Sequence, residues 1–238
     1  VTIKIKNGHY KAVRESSQHW AYYMNNISVI GESRDGVIIE SIISSTNQYK
    51  IFDIGGECTI KDMTFKVYND GTYDLEHNLH INPYCIHVDR QQTDGTDDNH
   101  YTTNLHNLVL YNECESPIGC GLHNNQTILV DNCVLNRCDA SACSGSGTFY
   151  VHSSWDTNAE NMEVIGRKNI IIHDTIGAGY AINMGGSEGY GEDDISVELS
   201  QNIVYAKDNT TAPSNFRDTH KMVPWSLNNS LDRINYSV

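Results

Sequence analysis

A polar residue set between apolar neighbours recurs along this chain in short segments that can be written one above another. The segments are YCIHVD (84–89), GCGLHN (119–124), FYVHSS (149–154) and YAINMG (180–185), and stacking them puts His87, His123, His152 and Asn183 in one column. The intervals of 36, 29 and 31 residues are irregular, as expected when strands keep register while loops vary. A further segment, IFDIGG (51–56), adds Asp53. Phe52, Ile54, Ile86, Val88, Leu122, Val151, Ile182 and Met184 flank the column. Side chains alternate across a strand, so the flanking residues are expected in a core and the polar column on a surface.

A second column keeps the same rhythm. IKDMTF (60–65), LHNLVL (105–110), VDNCVL (130–135), RKNIII (167–172) and SQNIVY (200–205) align Asp62, Asn107, Asn132, Asn169 and Asn202, with Gly31 as an earlier member. Asn tolerates left-handed backbone angles and bonds neighbouring backbone groups, so this column is expected at a sharp bend. The two columns alternate along the chain, which predicts an all-β solenoid of short parallel strands in six or seven turns. Spacings of 31, 45, 25, 37 and 33 residues in the second column exceed the roughly 20 to 25 of a bare turn, so several turns carry inserted loops. A β-sandwich with coincidental alignment is the alternative.

Charge narrows the partners. Lys and Arg number 16 against 30 Asp and Glu, a formal net charge of −14. That argues against bulk attraction to nucleic acid or to anionic membranes, and against capture of a polyanion without calcium or a local basic patch. No apolar run reaches membrane length. The chain opens directly on VTIKIKNGHY and closes on RINYSV, and it is read as one domain, residues 1–238, of a longer protein. Of seven cysteines, Cys58, Cys120 and Cys133 fall at inward positions, where a thiol acts as a small hydrophobe. Folding in a reducing bacterial cytoplasm is the simpler reading. The sequons starting at Asn26, Asn125, Asn209, Asn228 and Asn235 read as Asn-rich turns.

Residues 90–104, 154–167 and 186–200 leave the polar-column strands at one edge and are expected to wall a groove floored by parallel strands, with 69–83 and 136–148 opposite. Strands about 4.8 Å apart match the repeat of an extended sugar chain. Asp53, His87, Asp89, His123 and His152 are the candidate catalytic residues, because carboxylate pairs cleave glycosidic bonds and a His base abstracts protons. Tyr101, Tyr150 and Trp155 would stack on sugar faces, and Asp156 and Asn183 would hydrogen-bond the substrate. His87, His123 and His152 could share a transition metal. The acidic loop TDGTDDNH (93–100) offers oxygen ligands for calcium, although it lacks EF-hand spacing and reads more readily as a solvated turn.

The opening VTIKIKNGHY, followed by ISVIGESRDGVII, resembles the entry of pectin-lyase-like right-handed β-helices, notably pectinesterases. The later segments YCIHVD, IGCGLH and GTFYVHSS resemble β-helix modules of bacteriophage tail proteins and gut-bacterial surface proteins. The resemblance implies a right-handed, single-stranded parallel β-helix and a carbohydrate ligand. It implies no reaction: the QDT and DFIFG strands of pectinesterases, the R-I-K element of polygalacturonases and the calcium-site motif of pectate lyases do not occur here. The expected function is binding of a polysaccharide, with or without its depolymerisation, by a tail receptor-binding or depolymerase module, extracellular or on the virion. A binding module without catalysis, a carbohydrate esterase or lyase of bacterial polysaccharide utilisation, and the shaft of a homotrimeric fibre with its His column facing another subunit remain open beside it.

Overall fold

A computed structural model describes residues 1–15, 18–74, 81–89, 99–121, 123, 125–138, 147–152, 161–174, 180–184, 195–206, 216–218 and 226–228. They are all β, with no helix among them. The first circuit is β1 (Thr2–Ile5), β2 (Gly8–Lys11) and β3 (Trp20–Met24), and the second is β4 (Ile27–Gly31), β5 (Val37–Ile43) and β6 (Lys50–Ile54). Next, one long strand replaces the first two of each circuit: β7 (Cys58–Asn69) precedes β8 (Ile86–Val88), and β9 (Tyr101–Asn112) precedes β10 (Ile118–Gly121). Three-strand circuits then resume. They are β11 (Gln126–Asp131), β12 (Val134–Arg137) and β13 (Gly147–His152), then β14 (Met162–Arg167), β15 (Ile170–His173) and β16 (Tyr180–Met184). The last are β17 (Ile195–Ser200), β18 (Ile203–Ala206) and β19 (Phe216–Asp218), followed by β20 (Ser226–Asn228).

Strands pair with their counterparts in neighbouring circuits, in parallel. A 7-stranded sheet runs β3-β6-β8-β10-β13-β16-β19. The 13-stranded sheet holds the other two stacks, β1-β4-β7-β9-β11-β14-β17-β20 and β2-β5-β7 with β9-β12-β15-β18, joined because β7 and β9 run through both. The chain therefore visits three strand positions in rotation.

Bends between the first and second stacks explain the second column. Asp62, Asn107 and Asn132 have φ of 60, 52 and 55°, and the next members are Lys168 and Gln201 at 56 and 57°. Asn169 and Asn202, expected in the column, are displaced by one residue, because Asp131 pairs with Arg167 and Val134 with Ile170. Both are instead buried and bridge backbones across circuits: Cys133 N–H donates to Asn169 Oδ1 at 2.9 Å, Asn169 Nδ2 to the Val130 carbonyl at 2.9 Å and Asn202 Nδ2 to the Gly166 carbonyl at 2.8 Å. Gly31 holds its expected place. A Cβ there would lie 2.0 Å from the Asp62 carbonyl oxygen. Asn26 and Asn125, two of the sequon residues, also take left-handed turn positions.

Inward side chains stack by kind. The first stack contributes Val29, Ile60, Leu105, Val130 and Leu199, the second Ile39, Phe65, Leu110, Leu135 and Ile171, and the third Phe52, Ile86, Ile118, Phe149 and Ile182. Each is buried. Gly166 occupies the rung between Val130 and Leu199, where the Phe149 ring fills the space: a Cβ would come within 2.6 Å of it. Cys58, Cys120 and Cys133 are buried free thiols, as their inward positions require. Burial raises the proton affinity of all three, Cys133 up to about 12, which keeps them unreactive.

Candidate functional site

On the 7-stranded sheet, Asp53 of β6 pairs in register with His87 of β8. Their neighbours Phe52, Ile54, Ile86 and Val88 belong to the core, so alternation turns Asp53 and His87 to the opposite face. His87 Nδ1 lies 2.7 Å from Asp53 Oδ1, a charge-assisted hydrogen bond in which the imidazole donates, since an ionised carboxylate only accepts. Lys50 Nζ stands 3.7 Å from Asp53 Oδ2. On the other side of the ring, His87 Nε2 is 3.9 Å from Asp89 Oδ2, and Asp89 Oδ1 accepts from His123 Nε2 at 2.7 Å. Two imidazoles and two carboxylates thus alternate in one chain of contacts.

This face is not the open surface expected. Asp53, His87 and His123 are 3%, 4% and 1% exposed. Asp89, with 26% of its side chain exposed, is the member of the four that reaches solvent. Part of the cover is Tyr84, whose ring lies flat on His87 with centroids 5.0 Å apart and planes 5° from parallel. Gly119 makes room for it: a Cβ there would lie 2.9 Å from the Tyr84 ring and 3.1 Å from His87 Cδ2. Burial holds the Tyr84 phenol well above its ordinary proton affinity, helped by the nearby Glu115 charge. Tyr23 of β3 pairs with Asp53. Its phenol is likewise raised, first by burial and then by the Asp53 charge.

The column's membership also changes. Register carries it from Asp53 and His87 to Gly119, Tyr150 and Asn183. His123 lies four residues past Gly119, after β10 has ended, and reaches the cluster from there. Its backbone N–H donates to Gln126 Oε1 at 3.1 Å. His152 pairs with Gly121, two positions beyond the column, and is described by its backbone alone. Tyr150 is half-buried and Asn183 buried, both in the column. Tyr101 belongs elsewhere: it opens β9 in the 13-stranded sheet and pairs with Gln126.

Trp155, Asp156 and most of the loops expected to wall the groove lie outside the described residues. So does the acidic loop except Asn99 and His100, and His100 Nε2 lies 3.0 Å from Thr127 Oγ1. Among the described residues no three His, Cys, Asp or Glu side chains converge as metal ligands. Tyr84, Gly119, Lys50 and Tyr23 were missed by the sequence reading. Gly119 carried the clearest signal, since a glycine at a column position leaves space that a neighbouring ring can enter.

No protein-family model, curated protein or solved structure matches the chain. Its functional reading therefore rests on its own residues.

Proposed function

We propose that the chain is a right-handed parallel β-helix of the pectin-lyase-like kind that binds a polysaccharide along its 7-stranded sheet and cleaves it by acid–base chemistry at His87. Rotation through three parallel strand positions supports the helix, and the near-universal right hand of parallel crossovers supports its sense. One observation carries the chemistry. His87 is fixed through Nδ1 by Asp53 and through its face by Tyr84, which leaves Nε2 directed toward Asp89, the member of the cluster that meets solvent.

In this reading Asp53 keeps the proton on Nδ1, so the Nε2 lone pair accepts the proton of a water or sugar hydroxyl. The Asp89–His123 pair receives or returns a proton on the solvent side. The net charge of −14 favours a neutral glycan over a polyuronate. The setting we propose is an appendage of a virion tail or a bacterial surface, where the module meets its glycan outside the cell.

Purified bacterial capsular, wall and plant polysaccharides, neutral and acidic, test the reading through chain length and released reducing ends. Wild type is expected to shorten at least one neutral polymer, and His87→Ala to lose about 100-fold or more of the rate. His152→Ala run beside it reports whether the next position on this face takes part. Binding without cleavage of any polymer would make the face a recognition surface and overturn the catalytic part. Neither binding nor cleavage would overturn the whole.

A further inference from the structure

The polar column begins one rung before Asp53. Tyr23 holds that place, and its neighbours Tyr22 and Met24 pair with the core residues Phe52 and Ile54, so alternation turns Tyr23 to the outer face. Its ring leans across the next strand onto Gly55, where a Cβ would overlap the Tyr23 hydroxyl. Ile54 pairs with Val88, and the Asp89 N–H donates to the Ile54 carbonyl at 3.0 Å, so Gly55 and Asp89 are neighbours on adjacent rungs. The hydroxyl thus stands on the face of Asp53 and His87, one rung from Asp89. Among the described residues it makes no hydrogen bond. Burial and the surrounding carboxylates keep it protonated, which leaves a donor without an acceptor. Trp20, half-buried like Tyr23, stands beside it. The two ring centroids are 5.4 Å apart and the planes 42° apart, so the rings meet as walls of a corner and are not stacked. Lys50 pairs with Trp20 and is spent on Asp53, with Nζ 3.7 Å from Oδ2.

We infer that Trp20 and Tyr23 form a subsite for one neutral sugar unit, whose apolar C–H face rests on the Trp20 indole while the Tyr23 hydroxyl donates to one of its oxygens. The inference rests on the polysaccharide reading above and deepens it. Trp and Tyr each join a broad apolar face to a polar tip, which matches a sugar ring with its C–H face and its rim of oxygens. Packing alone would ask neither for an unbonded hydroxyl nor for a glycine beneath it. The carboxylates of Asp53 and Asp89 beside the corner repel an acidic unit. Tyr23 and His87 are two rungs apart, about 10 Å, so the unit held here lies about two sugars from the bond at His87. The subsite therefore selects the polymer at a distance from the chemistry and fixes its register along the column.

Affinity electrophoresis through gels that hold each polysaccharide of the same panel tests it, with far-ultraviolet circular dichroism to confirm that each variant folds. Wild type is expected to be retarded by at least one neutral polymer. Trp20→Ala is expected to raise the apparent Kd about 10-fold or more and Tyr23→Phe about 3- to 5-fold, while Trp20→Tyr, which keeps a ring, recovers most of the loss. Ile203→Ser, on the exposed face of the second stack, is expected to match wild type. Binding that neither Trp20→Ala nor Tyr23→Phe weakens overturns the subsite and leaves the polysaccharide reading standing. A loss in Trp20→Ala that Trp20→Tyr does not recover, or that Ile203→Ser shares, marks a structural effect and overturns it equally. Retardation by acidic polymers alone overturns the neutral ligand. A wild type that no polymer retards overturns the polysaccharide reading itself, and the subsite with it.

Discussion

The outer faces of two stacks of the same molecule invert the usual rule. On the 7-stranded sheet the outward residues Asp53 and His87 are polar and buried, while on the second stack the outward Ile170 and Ile203 are apolar and exposed. A single strand shows the contrast most sharply. In β15, Ile170 faces solvent, whereas Ile171 and His173 point inward and are buried, with His173 Nδ1 2.9 Å from Thr148 Oγ1. Strand alternation decides which face a side chain takes and says nothing of what then covers that face. Here a tyrosine folded over a glycine covers the polar side.

If burial is what separates the two faces, the largest effect comes from breaking the buried pair. Asp53→Ala removes the carboxylate that His87 Nδ1 bonds and is expected to cost about 3 to 5 kcal/mol of stability, while Ile170→Ala on the exposed face is expected to cost under about 1. Thermal or denaturant unfolding of the two variants side by side checks this. Equal losses would collapse the contrast.

His173 sharpens it next. Burial, with the Arg137 charge adding, lowers its pKa from 6.5 to about 4. The unfolded chain therefore takes up the proton first as pH falls. The contribution to stability is present in full above pH 6.5 and is lost between 6.5 and about 4, at up to about 1.4 kcal/mol per pH unit. His173→Gln is expected to flatten that window in unfolding measurements across pH. An unchanged slope would mean that other groups carry it.

Gly119→Ala tests the cover itself. Its methyl meets the Tyr84 ring and His87 Cδ2 inside ordinary contact distance, so a loss of about 1 to 3 kcal/mol is expected. Loss of His87 stacking should appear as a change in its ring-proton shifts. Smallest is Lys168→Gly, at the left-handed bend that turns Asn169 in and Ile170 out. Relief of backbone strain offsets the added chain entropy there, and the expected gain is about 0.5 kcal/mol, against a loss of about 1 for Lys168→Val.

Much of the winding was legible because inward residues alternate with outward ones at every rung and Asn or Asp marks most bends. The one-residue slip at Asn169 and Asn202 has a physical cause. Asn is the stronger signal for a left-handed angle, but in those two circuits Lys168 and Gln201 take the bend and the asparagines serve as internal hydrogen-bonding bridges. His123 was assigned to the column because Gly119, which holds that rung, has no side chain to mark it. It still reaches Asp89, so the grouping of Asp53, His87, Asp89 and His123 was legible where the register of one of them was not. Burial of the cluster was not legible, since it depends on a ring three residues before His87 folding over a rung 35 residues away.

The orientation of the His87 proton bears most directly on the proposed chemistry. Long-range proton–nitrogen NMR of the folded protein reads it at neutral pH. The account predicts a proton on Nδ1, held by Asp53, and none on Nε2. A proton fixed on Nε2 would contradict it.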